Sequence, residues 1–276
     1  MHLMIKVMLI LVIILLALYL FLVAPRMIHG ADRTSFMGNI FYAHRGLFDN
    51  ESDAPENSLA AFGKAVDAGY GMEMDVQLTK DDKLVVFHDA TLKRMCGVDG
   101  NVWDYTLEEL QGFRLKNSEE KIPAFSEVLK LVDGKVPLII EYKMDRPLTK
   151  VCELGNELLR EYKGVYCIES FHPFALMWYR KHRPDVMRGQ LSGNLAKEAK
   201  SSKQKKIYTL VTYLLTNVLT RPDFIAYDHR YVNNISRRVC RMLGALSVTY
   251  TIKSEQRYEE VKNKFDLFIF DSCRLK

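Results

Sequence analysis

Ionisable side chains mark the ends of several apolar runs in this 276-residue sequence. They come in four pairs, which are His44-Arg45, Glu73-Asp75, His88-Asp89 and Glu141-Lys143. Histidines exchange protons near neutral pH, and neighbouring carboxylates need a counter-charge, such as a hard divalent cation bound by oxygens. Arginine and lysine suit an anionic phosphate group. Together these residue types indicate metal-assisted acid–base chemistry on a phosphate substrate.

Each pair also has a purely structural interpretation. A histidine at a strand end is often only hydrogen-bonded, Glu73 and Asp75 can form salt bridges inside a fold, and Glu141 can pair with Lys143. Residues two apart on a strand face the same side, so each of these i, i+2 pairs projects together. The concentration of all four pairs at strand ends favours the chemical interpretation.

Short β-rich runs alternate with helical stretches after the first 39 residues. The runs are Ile40–Ala43, Gly71–Val76, Leu84–Phe87, Val136–Glu141, Val165–Ile168, Met187–Leu191, Phe224–Tyr227, Ala245–Thr251 and Leu267–Phe270, and the helical stretches include Ser58–Ala68, Ser126–Val132, Leu148–Tyr162, Pro173–Lys181 and Ser254–Lys262. This alternation predicts parallel strands, in a doubly wound sheet or an α/β (β/α)₈ TIM barrel. A doubly wound nucleotide fold needs a glycine-rich loop after its first strand, where Gly46 stands alone. The barrel is therefore predicted, with Leu84–Phe87 as a neighbour of Gly71–Val76.

The N-terminal segment predicts one transmembrane helix before the barrel. Val7–Ala24 is an 18-residue run without charge or glycine, about 27 Å long as a helix. The residues before any possible cleavage site are bulky, which argues against a cleaved signal peptide. The predicted helix has no polar face, which argues against a buried core helix. The predicted organisation is an anchor at 1–24, a linker at 25–39 and a barrel domain at 40–276. The distribution of positive charges on the two sides of the span slightly favours a single-pass membrane protein with its barrel in the cytosol.

Composition narrows the class of protein further. The chain is 48% hydrophobic and 26% charged, which is typical of globular proteins. Its five cysteines are odd in number and contain no CxxC pair, so they predict neither a zinc site nor a disulfide framework and fit a reducing compartment. No nucleic-acid partner is expected, and the sequence leaves the oligomeric state open.

Seven short motifs give the chain a clear family resemblance. They are AHRG (43–46), PENS (55–58), EMD (73–75), FHD (87–89), IPAFSEVL (122–129), IEYK (140–143) and SFHP (170–173). In this order they resemble the glycerophosphodiester phosphodiesterase family, which are metal-dependent (β/α)₈ barrels that cleave glycerophosphodiesters to glycerol 3-phosphate and an alcohol. The resemblance covers essentially all of residues 40–271, so a membrane-anchored member of this family is predicted.

The resemblance implies a role for each site residue. The implied set is His44 and His88 as the catalytic pair, Glu73, Asp75 and Glu141 as ligands of one divalent cation (Mg²⁺ or Ca²⁺), and Arg45 and Lys143 on phosphate oxygens. Asn57 is expected to order the loop near the metal, or to cap the following helix. Tyr250 takes the aromatic place where the family often has tryptophan, which affects specificity for the alcohol or acyl group.

Three alternatives to simple glycerophosphodiester hydrolysis remain open. A lysophospholipase D or sphingomyelinase D-like enzyme would use the same histidines and carboxylates on lysolipids. A non-catalytic membrane-anchored barrel would bind phosphodiesters as a scaffold. A magnesium-dependent lyase or isomerase would need a base for proton abstraction from carbon, and Lys143 is the one candidate.

A basic segment followed by an apolar one has two interpretations. Residues 197–206 carry five lysines and one glutamate, and residues 207–219 are mostly apolar but too short to span a bilayer. They form either an exposed loop with an outer barrel helix or a surface that docks on anionic lipid. A lipid bilayer is thus an expected partner, both here and through the N-terminal helix.

Overall fold

The computed structural model describes residues 1–27, 36, 38, 41–144, 146 and 149–275. The strands in these residues are β1 (Phe41–His44), β2 (Gly71–Leu78), β3 (Leu84–Val86), β4 (Leu138–Tyr142), β5 (Tyr166–Ser170), β6 (Arg188–Ser192), β7 (Phe224–Asp228), β8 (Leu246–Ile252) and β9 (Leu267–Phe270). Each predicted run overlaps one of them, and most strands extend one or two residues beyond the predicted end. Ile40, the predicted start of the first run, lies outside the described residues.

Eight of these strands close into a parallel ring. β1 pairs with both β2 and β9, and the order around the ring is otherwise β2, β4, β5, β6, β7, β8 and β9. β3 pairs antiparallel with β2 and lies outside the ring, as predicted for Leu84–Phe87. The predicted TIM barrel is confirmed. Because the strands are parallel, their carboxyl ends meet at one face, called the mouth here, and their amino ends meet at the base.

Helices cover the outside of the ring. Those in the described residues are α1 (His2–Val23), α2 (Leu59–Asp67), α3 (Lys93–Cys96), α4 (Leu107–Leu110), α5 (Phe125–Val132), α6 (Lys150–Glu161), α7 (Pro173–His182), α8 (Ser202–Thr212), α9 (Asn217–Thr220), α10 (Ile235–Met242) and α11 (Glu255–Val261). The five stretches with helical spacing each overlap a helix. Leu148, the predicted start of the third stretch, lies outside the described residues. α10 was not among the predicted stretches, and its sequence ISRRVCRM carries three arginines.

The barrel interior is divided into an apolar base and a polar mouth. Tyr42, Ile139 and Cys167 are buried in one apolar cluster inside the ring. Each stands two residues before a polar residue of the same strand, which are His44, Glu141 and Glu169. Alternation along a strand therefore puts these polar side chains on the same inner face, one level nearer the mouth. The predicted site residues thus lie on these strands or in the loops that follow them, around a single opening.

The segment between β3 and α5 forms a small separate cluster. Phe87, Leu92, Met95, Val102 and Leu110 are buried together beside the barrel. Short helices α3 and α4 carry part of this cluster. The segment is consequently compact, and it contributes a few polar side chains to the mouth.

The last turn of α1 packs against the side of the barrel. Val23 is fully buried, and its carbonyl accepts hydrogen bonds from Asn217 Nδ2 (2.9 Å) and Cys240 Sγ (3.2 Å). Tyr19 Oη lies 2.9 Å from Ser236 Oγ. The 22-residue helix is long and apolar enough to cross a membrane, and its most hydrophobic window is exposed. Residues 28–35, 37, 39 and 40, most of them in the predicted linker, lie outside the described residues.

Candidate active site

Strand register brings three of the predicted acidic residues together. Asp75 on β2 is level with Glu141 on β4, and His44 on β1 is level with Glu73 on β2. The carboxylate oxygens of Glu73, Asp75 and Glu141 lie within 4.8 Å of one another, and all three residues are buried. The three carboxylates predicted as ligands therefore form one cluster at the mouth.

Glu169 extends this cluster. It is level with Glu141 in the neighbouring strand, is 1% exposed, and its Oε2 has no hydrogen-bond partner among the described atoms. It was not among the predicted site residues, although it follows an apolar run as Glu141 does. Oxygen donors of this kind suit a hard cation such as Mg²⁺ or Ca²⁺. The residues present therefore fit a divalent cation.

Burial and mutual repulsion raise the proton affinity of most of these acids. Burial first, and then Asp75, raise the pKa of Glu73 well above its usual value. The same two causes, burial and a neighbouring carboxylate, raise the pKa of Glu169. Burial also raises the pKa of Glu141, although Lys143 partly opposes it. The cluster therefore favours extra positive charge, either protons or a bound cation.

Asp75 differs because cations surround it. Burial alone would raise its pKa, but Lys143, His88 and Arg45 together lower it below the usual value. Lys143 Nζ lies 3.1 Å from Asp75 Oδ1 and 3.0 Å from Glu141 Oε1, and Arg45 Nε lies 3.4 Å from Asp75 Oδ2. Glu141 and Lys143 thus form the ion pair of the structural interpretation. That pairing leaves Lys143 beside the cluster, where it can also meet a phosphate.

His44 has a hydrogen-bond partner for which no role was predicted. Its Nδ1 lies 3.2 Å from Asp271 Oδ2, and its Nε2 lies 3.9 Å from Glu73 Oε2. Burial lowers the pKa of His44, and the hydrogen bond to Asp271 opposes that change. Asp271 follows β9 directly, so the same strand-end pattern could have identified it. The geometry leaves Nε2 facing the carboxylate cluster.

His88 stands at the start of a chain of polar contacts. Its Nδ1 lies 2.7 Å from Asp89 Oδ1, and Asp89 accepts hydrogen bonds from Arg94. Arg94 also binds Glu56, which in turn accepts a 2.7 Å hydrogen bond from Arg45. Glu56 and Arg94 were not predicted, because their mutual contact joins segments that are 38 residues apart. This chain ties the loop before α2 to the wall that carries His88.

Asn57 orders the cluster and does not cap the helix. Its Nδ2 donates a 2.8 Å hydrogen bond to Asp75 Oδ2, so its side chain lies against the acidic cluster. The alternative expectation was wrong, since Ser58 is the N-cap of α2 and its Oγ accepts from Ala61 N. Asn57 has a positive φ of 58°, which asparagine tolerates better than most residues. Its side chain is thereby free to turn inward.

Tyr250 closes one wall of the opening. Its hydroxyl donates a 2.7 Å hydrogen bond to Ser192 O, and burial raises its pKa well above the usual value. A cavity of about 200 Å³ lies between it and the polar cluster, lined by both predicted histidines and by Glu73, Glu141 and Lys143. All nine predicted site residues therefore meet at the mouth, and their chemical roles stay predictions.

A larger groove joins this cavity. It measures about 820 Å³ and shares His88, Glu141, Lys143 and Phe171 with the smaller cavity. Beyond them it passes between α7 and α8, where its walls include Ile207 and Leu210. The opening thus combines a compact polar end with a long, mostly apolar extension.

Comparison with known proteins places this geometry in a family. Residues 44–263 match the model of the glycerophosphoryl diester phosphodiesterase family. The chain belongs to that family. The phosphodiesterase family recognised from the seven motifs is therefore confirmed, and the match covers the strands and loops that carry all of the predicted site residues.

Curated relatives of this phosphodiesterase match a part of the chain. A glycerophosphodiester phosphodiesterase of Caldanaerobacter subterraneus is 37% identical over 166 residues, which cover 56% of this chain and 67% of the relative. The lysophospholipase D GDPD1 of Rattus norvegicus is 32% identical over 163 residues, which cover 54% of this chain and 50% of the relative. The matched segments thus span about half to two thirds of these relatives.

Solved structures share the fold over nearly the whole barrel. A phosphodiesterase of Oleispira antarctica, in complex with the product sn-glycerol-3-phosphate, has a TM-score of 0.69 at 23% identity and covers 87% of this chain and 94% of its own. A glycerophosphodiester phosphodiesterase of Thermotoga maritima has a TM-score of 0.64 at 25% identity and covers 85% of this chain and 95% of its own. The barrel of this family member is therefore built like theirs.

Proposed function

We propose that this protein is a metal-dependent hydrolase that cleaves glycerophosphodiesters to glycerol 3-phosphate and an alcohol. The observation that carries the proposal is one cavity lined by two histidines, the acidic cluster and Lys143. Family membership supports it, as do the names of the relatives. A scaffold that merely bound phosphodiesters would not need two histidines beside buried carboxylates.

The histidines carry the proton transfers in this mechanism. One of them, His44 or His88, accepts the proton of the attacking oxygen, and the other donates a proton to the leaving alcohol. The attacking oxygen belongs to water or to the glycerol 2-hydroxyl. Asp271 orients His44, and Asp89 orients His88, through the hydrogen bonds to their Nδ1 atoms.

The charged residues bind and stabilise the phosphate. Arg45 and Lys143 would face its oxygens and offset the negative charge that develops there. Glu73, Asp75 and Glu141 would hold one Mg²⁺ or Ca²⁺ ion. When bound, that ion supplies further electrostatic stabilisation of the phosphate.

The first test uses the full chain in detergent after chelation. Release of glycerol 3-phosphate from glycerophosphocholine is measured with and without added Mg²⁺ or Ca²⁺. We expect metal-dependent release that falls by at least about 10²-fold in His44→Ala and in His88→Ala, the usual size of general acid–base effects. His182→Ala is the matched control, because this exposed histidine lies at the base end of α7 and should leave the rate unchanged. A loss below tenfold in both catalytic variants would refute the assignment.

A lysophospholipase D activity is the second candidate. The mostly apolar groove that shares His88 and Phe171 with the polar cavity favours it, because an acyl chain needs an apolar path away from the phosphate. Release of choline from lysophosphatidylcholine is measured beside the first assay. Leu210→Asp, which places a charge on the groove wall, should slow the lysolipid reaction at least about tenfold and leave glycerophosphocholine turnover unchanged. Equal slowing of both reactions would argue against this role of the groove.

We also infer that α1 is a retained, single-pass membrane anchor and that the barrel lies on the cytosolic side. The buried contacts of Val23 with the barrel support retention, because cleavage after them would uncover apolar surface. The protein should therefore stay in membranes washed with alkaline carbonate and have the mass of the intact chain. A shortened chain in the supernatant would contradict the anchor, and protease protection of the barrel in right-side-out vesicles tests its side.

A further inference from the structure

The direction of α1 relates the barrel mouth to the membrane. Tyr19 meets Ser236, near the mouth end of α10, while Val23 meets Cys240, one turn further toward the base. The backbone N–H of Arg26 donates to Pro222 O in the loop before β7, at the base itself. The last turns of α1 thus run from mouth to base along the barrel wall. Residues 2–18, which precede these contacts, must therefore project beyond the mouth face.

The contacts that fix this direction are several and specific. Arg221 donates hydrogen bonds to the carbonyls of Phe21 (2.9 Å) and Ala24 (2.8 Å), and its guanidinium lies 4.9 Å from the Phe21 ring centroid. Arg26 Nη1 also donates a hydrogen bond to Pro184 O at 2.7 Å. These contacts tie the end of α1 at the base as well as on the wall. Contacts at the base and on the wall of the barrel therefore fix the angle between α1 and the barrel.

α8 lies at the same face of the barrel. Its last residues are held at the mouth rim, since Val211 O accepts a hydrogen bond from Ser192 Oγ and Thr212 O accepts one from Tyr227 Oη. Ser192 ends β6, so this contact is at the carboxyl end of the strands. α8 consequently rests on the rim rather than along the outer wall.

The surface around α8 combines exposed apolar and basic side chains. Ile207 and Leu210 are 53% and 46% exposed. Lys203, Lys205 and Lys206 precede them in the helix and are exposed. This mixture is typical of helices that lie at the headgroup level of an anionic bilayer.

We propose that the barrel mouth faces an anionic lipid bilayer, with α1 crossing that bilayer and α8 lying against its headgroups. The apolar groove beside α8 would then open toward lipid, and a substrate with an acyl chain would pass from the bilayer to the site without crossing water. This inference rests on the proposed anchoring by α1, and its test does not use catalytic activity.

The test measures the depth of two sites in the bilayer. The full chain is reconstituted into vesicles of phosphatidylcholine with phosphatidylglycerol, with the partly exposed Cys96 and Cys273 replaced by serine. A fluorophore is attached to Ile207→Cys at the mouth or to Val165→Cys at the base, both of which are exposed apolar positions. We expect lipids with a nitroxide near the headgroup to quench the probe at 207 and not the probe at 165. Quenching at 165 alone, or at neither site, would overturn the proposal.

Charge reversal separates specific docking from a passive consequence of tethering. Lys203→Glu, Lys205→Glu and Lys206→Glu together should reduce quenching at 207. Each lysine near an anionic bilayer changes the equilibrium constant for docking roughly five-fold, or on the order of 10²-fold for three. The matched control reverses three exposed lysines at or near the base, Lys135, Lys163 and Lys181, and should leave quenching unchanged. Equal quenching in both triple variants would refute a contact through α8. Because quenching is independent of turnover, an inactive protein would not affect this result.

Discussion

Single hydrogen bonds hold the two histidines that we propose as catalytic. His44 is buried, which disfavours its charged form, and Asp271 is the carboxylate that opposes this effect. The same bond fixes the ring so that Nε2 faces the acidic cluster. Asp271 is therefore expected to act as a positioning residue for His44.

The variant Asp271→Asn tests this role. We expect phosphodiesterase activity to fall about 10- to 100-fold, the usual cost of losing a partner that orients a site residue. Because Asp271 raises the pKa of His44, its removal should also shift the limb of the pH–rate profile that reports His44 to lower pH. A merely structural role would lower activity without moving that limb. Asp185→Asn, at an exposed carboxylate, serves as the control.

The ionisation of Glu56 makes the stability of the folded chain depend on pH. Burial opposes its ionisation, but hydrogen bonds from Arg94 and the charge of Arg45 lower its pKa from 4.5 to about 2. A lowered carboxyl pKa stabilises the folded state above the unfolded pKa, and that stabilisation is lost as the pH falls from about 4.5 to about 2.

Chemical unfolding at several pH values tests this linkage. Glu56→Gln should reduce the free energy of unfolding at pH 7 by up to about 3 kcal/mol and should flatten its fall between about pH 4.5 and 2. Glu161→Gln, which changes an exposed glutamate on α6, should leave the curve unchanged. An unaltered acid limb in the Glu56 variant would contradict the prediction.

The turn after β1 is the element that brings Arg45 and Asn57 to the site. Gly46 has φ of +82°, and a Cβ built there would lie 2.8 Å from the carbonyl carbon of Ala61 in α2. The chain can thus turn against α2 at this point only without a side chain. Asn57 N donates to Arg45 O at 3.0 Å, which closes the loop on itself.

Two glycine variants separate the steric effect of an added Cβ from the effect of a left-handed backbone conformation. Gly46→Ala should lower the free energy of unfolding by more than about 2 kcal/mol, because left-handed backbone strain and a clash with the backbone of α2 add. Gly69→Ala, at φ of +72° with open space around the new Cβ, should cost about 1 kcal/mol. Urea unfolding of both variants checks the difference, and equal losses would show that the contact with Ala61 is unimportant.

At the scale of the whole molecule, the acidic cluster carries electrostatic repulsion that a cation bound there would relieve. Glu73, Asp75 and Glu141 come from two neighbouring strands, and Lys143 offsets only part of their repulsion, because the pKa values of Glu73 and Glu141 are still raised. Any ligand that binds the folded state alone stabilises it in proportion to its concentration and affinity.

Thermal unfolding of the full chain therefore reports the metal site without an assay of activity. Adding Mg²⁺ or Ca²⁺ at about 100 times its Kd should stabilise the chelated protein by about 2.7 kcal/mol and raise its Tm. The shift should disappear in Glu141→Gln and persist in Glu157→Gln, which alters a carboxylate on the outer surface of α6. A shift that persists in Glu141→Gln would place the cation elsewhere.

The sequence by itself determined the class of fold and most of the site. Apolar runs that end in polar residues report both the strand and its inner face, because alternation along a strand is local. This is why His44, Glu73, Asp75, His88 and Glu141 could all be assigned before any contact was known. The order of the motifs then identified the family.

Only the tertiary structure decided the partners of those residues. Asp271 reaches His44 because β9 and β1 meet when the ring closes, and Glu56 contacts Arg94 from a segment 38 residues away. Likewise, the hydropathy of α1 indicates a span but says nothing of its direction relative to the barrel. That direction comes from the contacts of Tyr19 with Ser236 and of Val23 with Cys240, each of which joins residues 217 positions apart, so only the folded chain could reveal that α1 leaves at the mouth.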